Sequence, residues 1–149
     1  MVDEWEEDQV NYTKIKVVFK DNTVLYISED EVVIYQLSGD YHSIEYQNDE
    51  HNWHRTDGPA YEEHNYRAWW VDGKRHREGG LPAIEWGNGS KSWFENDKRH
   101  RLDGPAISYA DGHKEWWVNG IPYSKEKFEK ERKCWITYCS YGTFSGRSP

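Results

Sequence analysis

The chain has 149 residues, with 27 acidic and 19 basic side chains and a formal net charge of −8. Hydrophobic residues make up 36% of it and aromatic residues 16%. Disordered chains are poor in rings, so this composition excludes disorder and indicates one folded domain with an aromatic core.

The first fifty residues are predicted to form a β element. Residues 14–19 alternate between polar and apolar side chains, residues 21–22 are a turn signal, residues 23–27 form a returning strand, and residues 31–37 are another apolar run. We expect residues 1–50 to be an acidic N-terminal β cap that covers the open edge of the following array.

Most of the negative charge lies in this cap, which has 13 acidic and 3 basic side chains. Residues 51–123 have 11 acidic and 10 basic side chains, and residues 124–149 have 3 and 6. An acidic segment disfavours non-specific nucleic-acid binding, which needs a cationic surface, and suits a protein partner with a basic surface. The alternative is that the acidic surface only keeps the chain soluble.

The sequence HR-x-DGPA recurs in the middle of the chain, and the second copy is one residue longer. Its prolines, Pro59, Pro82 and Pro105, are each 23 residues apart. A block of paired aromatic residues followed by a turn signal lies between the copies, at residues 69–74, 93–98 and 116–120. We interpret residues 51–123 as an array of β-hairpin repeats with a 23-residue period.

Each repeat unit contains two turn signals. Residues 88–89 and 111–112 are the Asn-Gly and Asp-Gly dipeptides typical of two-residue type I′ turns, in which both residues have positive φ. The first unit is one residue shorter and has His64-Asn65 there. The second turn of each unit is at residues 72–73, 96–97 and 119–120.

These signals predict a mainly β fold, an antiparallel meander of short hairpins. Each proline is expected at the start of a new hairpin because it lacks an N–H group. Strand alternation places Ile84 and Trp86 on one face and Glu85 on the other.

Residues 124–149 are predicted to be a short helix and a tail. Ser124 is a good N-cap, and Phe128 and Trp135, seven residues apart, would pack one helix face on the sheet. Cys134 and Cys139 are too few for a disulfide framework. We expect reduced thiols and a cytoplasmic protein. No run reaches the roughly 20 apolar residues of a membrane span, so no membrane partner is expected.

The repeated string resembles the short MORN-variant repeats (membrane occupation and recognition nexus) of bacteriophage, giant-virus and bacterial proteins. The resemblance rests on Trp-Trp-Val-Asp-Gly-Lys-Arg-His-Arg, then Gly-Pro-Ala, and covers about residues 53–123. It implies a β-repeat architecture that binds proteins or lipids, with some antitoxin-like members. The Trp pair and the His-Arg sequence depart from the commoner MORN pattern, which argues against lipid binding. For a viral protein, the compartment would be the host cytoplasm.

The tryptophans are the main candidate binding residues. Counted from proline, Trp70, Trp93 and Trp116 share one repeat position, with Trp69 and Trp117 beside them. Adjacent strand residues face opposite ways, so one ring of each pair is expected in the core and the other on a second face. Alternatively, both rows are packed, one of them against a second chain. The candidate binding residues are Trp69, Trp70, Trp86, Trp93, Trp116, Trp117, Arg75 and Arg99.

The repeated His-Arg pairs are interpreted as structural. We expect each pair to pack against the next unit, with arginine paired to a carboxylate such as Asp57 or Asp103. Equivalent histidines would lie about 9.6 Å apart, too far for a shared zinc ion, so neither a metal nor a cofactor is expected. The structural repeat residues are His54, Arg55, Gly58, His76, Arg77, Gly80, His100, Arg101 and Gly104.

Function is expected to be binding rather than catalysis, because catalytic groups are normally single whereas this motif occurs three times. The first hypothesis is a non-enzymatic protein–protein interaction module. It would be a phage- or virus-type inhibitor or adaptor that binds a host protein through the aromatic face and the acidic segment. The alternative is a nucleotide or single-stranded nucleic-acid binder with stacked Trp. A His-dependent phosphodiester hydrolase is a third hypothesis, and oligomers could form through a sheet edge or face.

Overall fold

The structure, a computed structural model, describes residues 14–28 and 41–140. The predicted strand at residues 31–37, most acidic residues of the cap and the tail from residue 141 lie outside the described residues. The described strands and helix are β1 Lys14–Phe19, β2 Val24–Ser28, β3 Tyr41–Gln47, β4 Tyr61–Glu63, β5 Tyr66–Ala68, β6 Trp70–Val71, β7 Lys74–Arg75, β8 Ile84–Trp86, β9 Lys91–Ser92, β10 Phe94–Glu95, β11 Lys98–Arg99, β12 Ile107–Ser108, β13 Lys114–Val118, β14 Ile121–Tyr123 and α1 Lys125–Ser140.

Ten of these strands form one antiparallel sheet, in the order β14-β13-β12-β9-β8-β5-β4-β3-β1-β2. The mainly β meander with one C-terminal helix, predicted from the turn signals, is confirmed. The chain leaves this sheet after β5 and β9 to form two separate hairpins, β6-β7 and β10-β11. The first two repeat units therefore each have one hairpin in the main sheet and a second hairpin outside it, whereas β13 and β14 of the third unit stay in the main sheet.

Three loops of the main sheet share one backbone geometry. Phe19, Trp86 and Tyr109 each accept a backbone hydrogen bond from the residue three positions later and donate one to the carbonyl four positions later. Only the last residue of each loop has positive φ: Asn22 at 66°, Gly89 at 90° and Gly112 at 90°. This pattern is a three-residue loop with a left-handed bulge residue.

The predicted type I′ turns at residues 88–89 and 111–112 are therefore wrong. The Oδ1 atoms of Asn88 and Asp111 each accept the backbone N–H two residues later, at 2.9 Å, and this local hydrogen bond favours negative φ at both residues. Type I′ geometry occurs instead at the second turn of each unit, where both residues have positive φ, at residues 72–73, 96–97 and 119–120.

Each proline lies two residues before a strand, and the alanine between them is fully buried at Ala60, Ala83 and Ala106. Ala83 packs with Ala68, Ile84 and Phe94 in a small core between the main sheet and the second hairpins. A methyl group at this position lets the two hairpins of a unit approach closely, which the sequence pattern did not reveal.

The two ends of the array are built differently. At the first end, β3 pairs with both β4 and β1, so the N-terminal strands continue the sheet. At the other end, the Ser124 hydroxyl accepts the Lys127 N–H at 3.2 Å and begins α1. Phe128 is fully buried, and its ring contacts Trp135 with a centroid distance of 5.7 Å. The predicted N-cap and helix face therefore agree with the structure.

Candidate functional site

The repeat histidines connect successive units through one hydrogen bond. The Nδ1 atoms of His76 and His100 accept the backbone N–H of the first residue in the next type I′ turn, at 3.3 and 3.1 Å. The Nδ1 atom of His54 lies 3.0 Å from the equivalent backbone nitrogen and 2.7 Å from the carboxylate of the same turn residue, so it binds that residue in either tautomer. Those turn residues are Asp72, Asn96 and Asn119. An imidazole that accepts at Nδ1 is engaged in the array and is a poor candidate for a catalytic base at that nitrogen.

The repeat arginines stack on rings. The guanidinium carbon lies 4.0 Å from the ring centroid of Tyr46 for Arg55, 3.7 Å from that of Trp69 for Arg77, and 3.9 Å from that of Trp93 for Arg101. Each of these arginines also donates to the carbonyl of its own unit's proline, at 3.5, 3.1 and 3.3 Å respectively. We call these contacts the arginine clamps, since each joins a ring to the loop that carries the arginine.

The clamps also have carboxylate partners. Arg55 Nε donates to Asp57 at 2.7 Å and Arg101 Nε donates to Asp103 at 2.6 Å, while Arg77 pairs with Glu85 at 3.3 Å. The Arg101 hydrogen bond is the main reason that the pKa of Asp103 lies below its ordinary value.

Two of the three repeat glycines fit against a clamp. A Cβ atom on Gly58 would lie 2.7 Å from Arg55 Cζ, and one on Gly104 would lie 3.2 Å from Arg101 Cζ. Gly80 is different because it belongs to the longer copy of the motif. It has φ of +69° with open space around its Cα, and its carbonyl accepts the Trp93 indole N–H at 2.9 Å.

The predicted register of the tryptophans is wrong in the first unit. His76 and His100 donate backbone hydrogen bonds to the carbonyls of Trp69 and Trp93, so Trp69, and not Trp70, is equivalent to Trp93. The shorter loop at residues 64–65 shifts the count from proline by one residue. The structure therefore has one row at Tyr46, Trp69, Trp93 and Trp116 and a second row at Trp70, Phe94 and Trp117.

Neither row is freely exposed. Trp93 is only 9% exposed, and the rings of Trp69 and Trp93 lie beneath arginine clamps. Trp116 is half-buried on β13, the strand against which α1 packs. The covered rings of Trp69 and Trp93 and the half-buried Trp116 favour the alternative in which both rows are packed.

The second row faces the small core. Trp70 packs against the core and meets Trp53 edge to face at 4.9 Å, while Phe94 is itself a core residue. Arg75 lies over the Phe94 ring at 4.1 Å and forms an ion pair with Asp97. Arg99 lies over the ring of Trp117 at 5.0 Å. The predicted binding residues Arg75 and Arg99 therefore cover rings of the second row.

A carboxylate completes the second row at its C-terminal end. Glu115 accepts the Trp117 indole N–H at 2.8 Å and the Tyr109 hydroxyl at 2.9 Å. The Trp117 hydrogen bond, followed by that of Tyr109, holds the pKa of Glu115 below its ordinary value. The same carboxylate raises the pKa of Tyr109, so the phenol donates and the carboxylate stays ionised at neutral pH.

At the loop ends of the main sheet lie two exposed rings, Trp86 and Tyr109, and the half-buried ring of Tyr66. Tyr66 and Trp86 are direct partners on β5 and β8, and Tyr109 lies on the same face two strands further on. Trp86 is 37% exposed and Tyr109 is 39% exposed. We call Tyr66, Trp86 and Tyr109 the ring stripe. Of these, only Trp86 is among the predicted binding residues; the period-2 pattern of β5 and β12 is the signal that indicates the two tyrosines.

Between Trp86 and Tyr109 the stripe has a small residue. Ser90 is buried, and its hydroxyl accepts the backbone N–H of Ala110 at 3.0 Å. The two exposed rings thus lie on either side of Ser90, whose small side chain is hydrogen-bonded to the backbone. Such a surface offers two ring contacts to a ligand.

A groove of about 430 Å³ lies at the opposite end of the strands, between the second and third repeat loops. It is lined by both repeat histidines of these loops, their arginines and Trp93. His100 Nε2 lies 3.4 Å from Glu95 and His76 Nε2 lies 3.9 Å from Glu78. Both imidazoles are thus contacted through each nitrogen, and the groove lining includes no Ser, Thr or Cys.

In residues 14–28 and 41–140, no group of three or more His, Cys, Asp or Glu side chains is arranged to hold a metal ion. In the same ranges, no helix has the length and apolar character to cross a membrane. Comparisons with protein-family models, with curated proteins and with solved structures found no match to this chain.

Proposed function

We propose that the chain is a non-enzymatic protein-binding module and that the ring stripe is its contact surface. The observation that carries this proposal is the exposure of Trp86 and Tyr109 on one face of the sheet. Trp and Tyr are the residues most enriched at the energetic centres of protein interfaces. The repeat His and Arg side chains are engaged between units, which supports a scaffold role for them.

The resemblance to MORN-variant repeats supports the same reading. We propose that the chain is a repeat protein of this kind, and that it acts in the cytoplasm as a phage- or virus-type inhibitor or adaptor of a host protein. The acidic cap would add attraction for a basic partner.

Nucleotide or single-stranded nucleic-acid binding is the second candidate, because an exposed Trp and Tyr could stack on bases. It has less support than protein binding. A strand of nucleic acid needs a cationic track, whereas Glu63 and Glu115 lie on the face that carries the stripe. The hydrolase hypothesis has the least support, because His76 and His100, the repeat histidines that line the groove, are each contacted through both ring nitrogens.

Affinity capture with the immobilised chain tests the proposal. The double variant Trp86→Ala/Tyr109→Ala is compared with the wild type and with Leu81→Ala, a control that removes an exposed apolar side chain at the other end of β8. We expect at least one protein from the source lysate to bind the wild type and the control but not the double variant. Capture of the same proteins by all three, with unchanged circular dichroism, would refute the proposed surface.

A parallel titration separates the second candidate. Tryptophan fluorescence is measured while a single-stranded oligonucleotide is added to the wild type and to Trp86→Ala. A saturable change that the variant loses would favour base stacking over protein binding.

A further inference from the structure

The loops of the β4–β5 and β8–β9 hairpins border a notch of about 310 Å³. The notch arises where the two-residue loop at residues 64–65 lies beside the three-residue loop at residues 87–89. Gly87 donates its N–H to the Asn65 carbonyl at 2.6 Å, and a Cβ atom on Gly87 would lie 2.7 Å from Asn65 Oδ1. A difference in loop length thus creates an asymmetric site in an otherwise regular array.

Two aromatic rings form one wall of the notch. Tyr66 and Trp86 meet edge to face, with centroids 5.8 Å apart and an interplanar angle of 64°. Indole is the strongest cation–π acceptor among the side chains. Burial raises the pKa of Tyr66, and the Glu63 charge adds to this rise against the opposite effect of Arg75, so the phenol is neutral at neutral pH.

Three carboxylates and one guanidinium also line the notch. Glu62 pairs with Arg67 at 3.6 Å, and Glu85 pairs with the clamp arginine Arg77 at 3.3 Å. Glu63, in contrast, has no arginine or lysine partner among the described residues. Its contacts there are the neutral Tyr61 hydroxyl at 3.3 Å and the well-exposed His42 imidazole at 3.5 Å. Glu63 is therefore the carboxylate whose charge is least compensated by its neighbours.

Glu63, Tyr66 and Trp86 are in register on three consecutive strands, on one face. With strands about 4.8 Å apart, the Cα atoms of Glu63 and Trp86 are separated by roughly 9.6 Å, with Tyr66 between them. A cationic side chain that enters here meets two ring surfaces and one carboxylate. The net charge of −8 also favours the approach of a basic surface.

We propose that the notch binds a lysine or arginine side chain of the protein partner, with Tyr66 and Trp86 as the cation–π surface and Glu63 as the counter-ion. This inference rests on the proposed function, because it names the chemistry that the ring stripe recognises. A single cationic side chain is the occupant, since the notch lies at the end of one hairpin pair and not along the sheet.

Labelled peptides test this cation site on the full chain. Three ten-residue peptides share a Gly-Ser background and carry three lysines, three arginines or three glutamines, and binding is followed by fluorescence anisotropy. We expect a basic peptide to bind roughly five-fold or more tightly than the glutamine peptide, as an exposed cation–π contact with a counter-ion allows. The comparison of lysine with arginine identifies the preferred cation.

Variants then locate the binding. Glu63→Gln and Trp86→Leu are expected to remove most of the preference for the basic peptide. Glu78→Gln removes the same charge from a side chain that is 93% exposed at the other end of the strands, and it should leave the preference unchanged. The proposal would be overturned if the glutamine peptide bound as tightly as the basic peptides. It would also be overturned if Glu63→Gln and Glu78→Gln changed the preference for the basic peptide equally.

The two proposals fail separately. If protein capture needs Trp86 and Tyr109 but the peptides are not discriminated by charge, the cation site is refuted and the contact surface stands. If the peptides bind as expected but capture survives the loss of both rings, the contact surface is refuted and the cation site stands.

Discussion

Replacing Arg101 by Ala removes an entire arginine clamp from the third repeat loop. The guanidinium lies 3.9 Å from the centroid of the Trp93 ring and donates to the Pro105 carbonyl at 3.3 Å and to Asp103 at 2.6 Å. All of these partners stay in place in the variant, so their contacts are lost without replacement. The loop would keep the backbone hydrogen bonds that His100 and Arg101 donate to Trp93 and Trp117, at 3.2 and 3.1 Å, and the His100 side-chain hydrogen bond to Asn119.

The magnitude follows from the separate contacts. A half-buried cation–π contact contributes about 1–2 kcal/mol, and a charged hydrogen bond to a carbonyl contributes about 1.5 kcal/mol when it is long. The ion pair with Asp103 contributes less than about 1 kcal/mol, because that carboxylate is mostly exposed. The contacts share one side chain and are not additive, so we expect a total loss of about 2–3 kcal/mol.

Urea unfolding followed by tryptophan fluorescence measures this loss. With a slope of about 2 kcal/mol per molar urea, the midpoint of Arg101→Ala should fall by roughly 1–1.5 M. Arg101→Lys keeps the charge but not the planar stacking group, and we expect about half of the effect. The control is Lys114→Ala, an exposed change on β13. A midpoint for Arg101→Ala equal to that of Lys114→Ala would refute the clamp as a stabilising element.

Three further outcomes are expected. Hydrogen bonds from Arg101 and Arg75 lower the pKa of Asp103 and Asp97, respectively. The ionised carboxylates therefore stabilise the folded state above the ordinary aspartate pKa of about 4, and this contribution is lost as the pH falls below that value. Thermal melts should therefore show a steeper loss of stability below about pH 4 in the wild type than in the Asp97→Asn/Asp103→Asn variant, and equal slopes would contradict this. Phe128→Ala should cost about 3–5 kcal/mol, because this ring on α1 is fully buried; a melting temperature near that of the wild type would show that the helix is not docked on the sheet. Gly112→Ala should cost about 1–2 kcal/mol at φ of +90°, and Gly112→Asn should cost less, because Asn22 occupies the equivalent loop position with φ of 66°; equal costs in urea unfolding would argue against backbone strain as the cause.

The local pattern predicted the hairpins well because their signals lie within a few residues of each other. Turn dipeptides, proline spacing and strand alternation located the strands of the repeat array and the β1–β2 hairpin, and Ser124 marked the start of α1. The turn types were predicted wrongly at residues 88–89 and 111–112. There, a side-chain hydrogen bond to the backbone decides the geometry, and the dipeptide alone does not reveal it.

The register of the tryptophans failed for a different reason. A single missing residue in the loop at residues 64–65 moves Trp69 and Trp70 by one position relative to proline, and a shift of one residue reverses the face of a strand. The backbone hydrogen bonds that His76 and His100 donate to Trp69 and Trp93 show which rings are equivalent, and they agree with the aligned blocks at residues 69–74 and 93–98 rather than with the count from proline.

By itself, the sequence determined the repeat, its period, the alternation of faces and the presence of one C-terminal helix, since each depends on neighbours along the chain. The tertiary structure decided which rings are covered and which are open. Trp93 is buried beneath Arg101, whereas Trp86 beside the shorter hairpin is exposed. Exposure depends on which groups of neighbouring units reach each ring through space, and composition and spacing do not contain that information.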